Sequence, residues 1–228
     1  MTDIEACRPS RSDGGISQQI IGTEKAMKKK KTSEPGLLAS DSDWHNNACL
    51  NYMRDHGTAY TEGYRRAADI LIKHIDESGR DQDFLVYPVL FLYRHHIELL
   101  IKQIIGLALA LAEEPNKYQY KKDDHNLNTL WPLAQKLILE VDDSYRTSDL
   151  KIVKEVVKAL HQADERATDF RYARRNDGTR SLEGIHYVNT RRFGEKMGAA
   201  SDLLDGIDNG LRYLLDCKAE WNGILDSF

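Results

Sequence analysis

The ten residues from Phe84 to Tyr93 read Phe-Leu-Val-Tyr-Pro-Val-Leu-Phe-Leu-Tyr, and the apolar character continues to Leu111. Wound as a helix, such a run has no polar face, so it folds only at the centre of a bundle or inside a membrane. The membrane alternative is disfavoured because Arg94, His95, His96, Glu98 and Lys102 interrupt it. Neither flanking half reaches the roughly 20 uncharged residues that a span needs. The run therefore predicts a central, buried helix over about 83–113, with Pro88 best placed in its first turns.

The surrounding sequence predicts helices and almost no alternating strand pattern. A first helix is expected from about 43 to 77, with Ser42 or Asp43 as N-cap, Gly79 as stop, and Tyr60, Tyr64, Ala67, Ala68, Leu71 and Ile75 on its apolar stripe. A third is expected over 125–141 around Leu127, Leu130, Trp131 and Leu137, and a fourth over 147–163 with Ser148 as N-cap. Residues 164–188 carry no helical period. A last helix starts near Asn189 or Thr190, with Phe193, Met197, Ala200, Leu204, Ile207, Leu211 and Leu214 at alternating four- and three-residue steps; Trp221 and Leu225 keep the phase. That seam packs either within the domain or between two chains. The fold class expected is all-α, a bundle of about five helices over residues 41–228.

Residues 1–40 read as a disordered basic tail, with 7 Lys+Arg against 5 Asp+Glu, leaving 25 against 31 in the rest of the 228-residue chain. Lys28 to Lys31 resemble a signal-peptide n-region, but Thr32-Ser33-Glu34-Pro35 follows where an apolar stretch belongs. Met27 before these lysines reads as an alternative start. A net charge of −4 excludes nucleic-acid coating by bulk charge. Cys7, Cys49 and Cys217 are too far apart for a disulfide scaffold or a cysteine zinc site, which suits a reducing cytoplasm.

Two groups of residues carry chemistry. On the central helix, Arg94, His95, Glu98 and Lys102 fall within one quadrant, with His96 and Gln103 opposite. Either Arg94 and Glu98 form a structural pair that also serves Lys102, or His95 handles protons while Arg94 fixes an anion. The second group lies within 164–192, where seven of the sixteen arginines occur (Arg166, Arg171, Arg174, Arg175, Arg180, Arg191 and Arg192) and no lysine. Guanidinium forks suit phosphate, although Asp164, Glu165, Asp169, Asp177 and Glu183 can absorb charge there. HExxH, the P-loop, GxGxxG and GxSxG are missing, and the adjacent His95 and His96 diverge by 100°, so neither metal nor cofactor is expected.

The order Tyr93-Arg94-His95-His96-Ile97-Glu98-Leu99-Leu100-Ile101-Lys102, then His125-Asn126-Leu127-Asn128-Thr129-Leu130-Trp131, then Asp169-Phe170-Arg171-Tyr172 and a long last helix resembles the HEPN superfamily of bacterial helical domains. The similarity spans about residues 60–215. It implies an all-α domain that often dimerises and, in many members, a metal-independent endoribonuclease of toxin–antitoxin or phage-defence systems, with an antitoxin or defence protein as partner. Active members carry Arg, four to six residues, then His; Arg180 and His186 have that spacing here, on a segment that Gly178 and Gly184 make read as a loop rather than the expected helix. Arg94 and His95 with His125 form the alternative site.

The expected function is therefore action on RNA by a HEPN-like cytoplasmic protein without a membrane partner. Candidate catalytic groups are Arg94, His95, Glu98, His125, Arg180 and His186; Lys102, Arg171, Tyr172, Arg174 and Arg175 are candidate RNA or nucleotide contacts. Cleavage would use a His to take the 2′-hydroxyl proton and an Arg to hold the phosphate charge. The alternative is a non-catalytic helical module binding RNA, nucleotide or protein, in which His125 covers the core and Tyr172 plugs the bundle.

Overall fold

A computed structural model describes residues 36–50 and 56–225. The basic tetrad and residues 51–55 of the expected first helix lie outside them. Two units separate after Leu50. The described part of the first is short: a turn closed by Ala39 N–H to Gly36 C=O, then one 3-10 turn at Trp44–Asn46. The expectation that the first helix is already under way at Asp43 is wrong. Asn47 exchanges hydrogen bonds with the Asp41 backbone at 2.9 and 2.7 Å, and such local side-chain bonds compete with the helical ladder.

The second unit is the all-α bundle. Its elements are α1 (His56–Ser78), α2 (Gln82–Leu111), α3 (Leu127–Val141), α4 (Lys151–Ala163) and α5 (Thr190–Leu225), and no strand occurs among the described residues. Gly79 ends α1 as expected, in the left-handed region (φ +62) with its N–H on Ile75 C=O at 2.9 Å. Helix α2 begins at Gln82 and accommodates Pro88 inside it, six residues later than the favoured first position. Asn126 caps α3 by accepting from Asn128 N–H at 2.8 Å. Helix α4 starts at Lys151 rather than 147, because Asp149 turns back to accept from Arg146 N–H at 2.7 Å; Ser148 is therefore not its N-cap.

Helix α2 is central, touching α1, α3 and α5. Val89, Ile97, Ile101, Ile104, Ile105 and Ala108 have no solvent exposure. It is long and apolar enough to cross a membrane by length and composition, with half of that apolar window buried inside the bundle. Burying a leucine- or isoleucine-sized side chain contributes about 1.5–3 kcal/mol, so this helix is the main apolar contributor to the core. Helices α2 and α5 run parallel, as successive contacts show: Tyr93 with Phe193, His96 with Ser201, Gln103 with Asp208, and Lys218 on the Ala110 and Leu111 carbonyls. Helix α1 runs antiparallel to both, with Arg65 bridging Asp202 and Asp205 and Asp76 meeting Arg191.

The α5 stripe from Met197 to Leu211 is buried within its own bundle. Trp221 and Leu225 keep its phase but are exposed, because α5 continues past the end of α2. The expected non-helical stretch lies between α4 and α5. It holds a tight loop in which Arg174 bridges Arg180 and Gly178 N–H reaches Arg175 C=O at 3.0 Å.

Candidate functional site

The helical periodicity of α2 separates its polar residues as the wheel requires. His96 and Gln103 face α5. His96 Nδ1 lies 3.0 Å from Thr61 C=O and Nε2 3.0 Å from Ser201 Oγ, while Gln103 donates to Asp208 at 2.8 Å. Burial pushes the His96 imidazole down to about 4, so it is a neutral strut joining three helices.

The other quadrant holds an ionic network. Arg94 and Glu98 are 2 % and 1 % exposed, and Arg94 Nη1 donates to Glu98 Oε2 at 2.8 Å. Arg94 Nη2 donates to His125 C=O at 3.0 Å, and its Nε lies 3.4 Å from both the carbonyl and Oδ2 of Asp164. One guanidinium therefore fastens α2 to the start of α3 and the end of α4. Glu98 Oε1 is shared by Lys102 Nζ at 2.9 Å and His125 Nδ1 at 2.7 Å. Burial works against the Glu98 charge, but the hydrogen bonds from Lys102, Arg94 and His125 outweigh it and hold the carboxyl below its usual range. The His125 side chain is 61 % exposed, so a buried carboxylate orients an imidazole whose Nε2 has no partner among the described residues.

Asp164 was legible in the sequence only as one acid among the arginines; nothing in the pattern marks it as the most buried. Its Oδ1 accepts from Thr168 N–H at 2.7 Å and Asp169 N–H at 2.9 Å, shaping the turn where Ala167 takes φ +59. Asp164 thereby helps to place Arg171 beside Phe91 of α2, with Tyr172 next to that guanidinium.

There they join an aromatic row. Tyr64 meets His95 edge-on with ring centroids 4.5 Å apart, and His95 stacks on Phe91 at 5.6 Å with 9° between planes. The Arg171 guanidinium lies 5.9 Å from the Phe91 ring and 5.5 Å from Tyr172. Its Nε donates to Ala167 C=O at 2.9 Å, and no acidic side chain pairs with it among the described residues. Burial is the main cause that lowers the His95 imidazole; Glu98 opposes, while Arg94, Lys102 and Arg171 reinforce. His95 is therefore neutral near pH 7. Tyr172 is 59 % exposed and stands on the surface rather than plugging the bundle. The i,i+4 spacing of Phe91 and His95 could have revealed this stack; the contribution of Tyr64 from α1 could not.

The other predicted contacts separate. Arg175 holds Asp169 with Nε 3.0 Å from each carboxylate oxygen, and Arg174 donates to Gly178 C=O at 2.9 Å. Arg180 and His186 do share a cleft, of about 830 Å³, with Asp76, Asp83, Tyr87 and Arg191. They stand on a non-helical segment in which Gly178 and Gly184 both take φ +84, as their loop placement predicts. Arg191 in that cleft is committed to Asp76 at 2.8 Å. Among the described residues, no three His, Cys, Asp or Glu side chains converge as a metal site.

No family model matches the chain, and no curated protein or solved structure is significantly similar to it.

Proposed function

We propose that this is a HEPN-like protein that binds RNA or a nucleotide on the face formed by Tyr64, Phe91, His95, Arg171 and Tyr172. The observation that carries the reading is Arg171, an arginine without an acidic partner among the described residues, lying 5.9 and 5.5 Å from two aromatic rings beside a neutral histidine. Stacked rings receive bases, and the guanidinium receives the phosphate that links them. A single small site of this kind accords with an acidic bundle, because it needs few phosphate contacts. The sequence motifs add the superfamily, the homodimer and the antitoxin or defence partner to the proposal.

The test is fluorescence anisotropy with single-stranded RNA and with ATP at low salt. Base–aromatic stacking is worth about 1–3 kcal/mol per base, so Tyr172→Ala weakens binding roughly 5- to 150-fold. Arg171→Ala weakens it and lowers the salt slope. Absence of binding, or affinity unchanged in both variants, refutes the proposal.

A second reading, endoribonuclease activity, is favoured by His125 on Glu98. His125 Nε2 would accept the 2′-hydroxyl proton as the 2′-oxygen attacks the adjacent phosphorus. The P–O5′ bond breaks, a cyclic phosphate remains, and the 5′-oxygen takes a proton from solvent. Lys102 and Arg171 would oppose the charge on phosphate. Incubation of total RNA in EDTA tests it: the wild type cleaves, and His125→Ala and Glu98→Gln do not. Loss in His186→Ala or Arg180→Ala instead would transfer the chemistry to the cleft that those two residues share.

A further inference from the structure

A second cavity, lined by none of the aromatic-row residues and adjoining the Arg180–His186 cleft along Leu90 and the loop wall, lies between α4, α5 and the segment 182–188. Its volume is about 550 Å³, within the range of small-molecule sites. Leu90, Val156, Leu160, Phe170 and Met197 line it, each at most 6 % exposed. Its outer wall is the loop segment, where Leu182 takes φ +57, a backbone conformation that a leucine rarely adopts. Ile185 and Tyr187 on the same wall are exposed although apolar, and His186, Tyr187 and Val188 make no backbone hydrogen bond among the described residues. The apolar face of α4 is itself buried, so the groove lies between a packed floor and the exposed loop wall.

The rim is asymmetric in charge. Arg192 and Lys196 border the groove one turn apart on the same face of α5, both exposed and without an ion pair among the described residues. Glu155 on the α4 side is the one rim carboxylate, and it lies 3.9 Å from Lys151. An aliphatic floor with two unpaired cations at one edge matches a ligand with a hydrocarbon body and an anionic end.

We propose that this groove binds an aliphatic carboxylate, with the chain laid over Val156, Leu160 and Met197 and the carboxylate held by Arg192 and Lys196. The site is independent of the RNA-binding reading and survives its failure.

Isothermal titration calorimetry with octanoate, decanoate and dodecanoate, each below its self-association concentration, tests the proposal on the full chain. Each buried methylene strengthens binding about fourfold, so each two-carbon step is expected to give roughly 15-fold. The Arg192→Ala/Lys196→Ala double variant weakens decanoate at least about tenfold and leaves decanol unaffected. Ala159→Trp, which fills the groove from an exposed position on α4, abolishes binding of both. Arg171→Ala changes none of these values. A circular dichroism melt confirms that the variants fold, and the rim variant stands alone if Ala159→Trp does not. Absence of saturable binding, affinity indifferent to chain length, or decanol binding as tightly as decanoate to the wild type would each overturn the proposal.

Discussion

Replacing Arg94 by methionine tests the reading of the ionic network as the joint that holds the bundle together. The substitution keeps an unbranched side chain over the aliphatic part of Arg94 and removes the charged guanidinium. It leaves two carboxylates, Glu98 and Asp164, each 1 % exposed. Glu98 retains Lys102 and His125, at 2.9 and 2.7 Å. Asp164 Oδ2 retains nothing: it has no hydrogen bond, and the Arg94 guanidinium is its ion-pair partner. Removing one member of a buried pair costs about 3–5 kcal/mol. The surviving partners of Glu98 place the expected loss near the lower end, about 3 kcal/mol, or roughly 6–12 °C in Tm for a chain of this size. Urea unfolding followed by far-ultraviolet circular dichroism measures it. Adding Asp164→Asn, which keeps an oxygen for Thr168 and Asp169 N–H, removes the uncompensated charge and should recover at least about 1 kcal/mol. Arg94→Lys should not rescue, since one ammonium cannot span Glu98, His125 C=O and Asp164 together. An Arg94→Met variant within about 1 kcal/mol of the wild type would refute the reasoning.

The remaining predictions concern pH and helix packing. His96 is held near 4 against an ordinary value of 6.5, so its unfolded form binds the proton first. Its contribution is complete above pH 6.5 and is lost as pH falls through 4, by about 3 kcal/mol in all; the difference between wild-type and His96→Gln stability curves over this window should show it. Glu98 has the opposite perturbation for its charge type, a lowered carboxyl, so the stability from its ionised form is present above the ordinary carboxylate value and lost as pH falls below it; Glu98→Gln should flatten the acid limb. Gly194 tightens the α1–α5 crossing, since an added Cβ would stand 3.1 Å from Ile72 Cγ2, whereas nothing lies within 4 Å of one at Gly206. Gly206→Ala should therefore stabilise by about 0.5–1 kcal/mol through helix propensity, while Gly194→Val should destabilise by about 1–3 kcal/mol through overpacking; thermal melts distinguish them.

The parts of the site that were readable were those carried by one helix. Arg94, Glu98 and Lys102 are four residues apart, so their mutual pairing follows from helical geometry alone. The same reasoning sends His96 and Gln103 to the opposite face, where they meet α5. What could not be read is long-range. Asp164 lies 70 residues from Arg94, and no local pattern separates it from Glu165 or Asp177. The arginine count in 164–192 looked like one phosphate-binding surface. In the fold Arg175 is tied to Asp169 and Arg191 to Asp76, Arg174 closes its own loop, and Arg171 sits among aromatic rings.

By itself, the sequence determined the all-α class, the centrality of α2, the stop at Gly79 and the non-helical segment before α5, because periodicity and capping act over a few residues. It could not determine that residues 43–47 stay out of a long first helix or that the fourth begins at Lys151, since local bonds from Asn47 and Asp149 compete with the helical ladder. Only the tertiary structure decided which charges are struts and which are available. An ion's role depends on the water it loses and the partner it meets across the bundle. For Arg94 both were settled by residues from α3 and the end of α4, and for Arg171 by two aromatic rings.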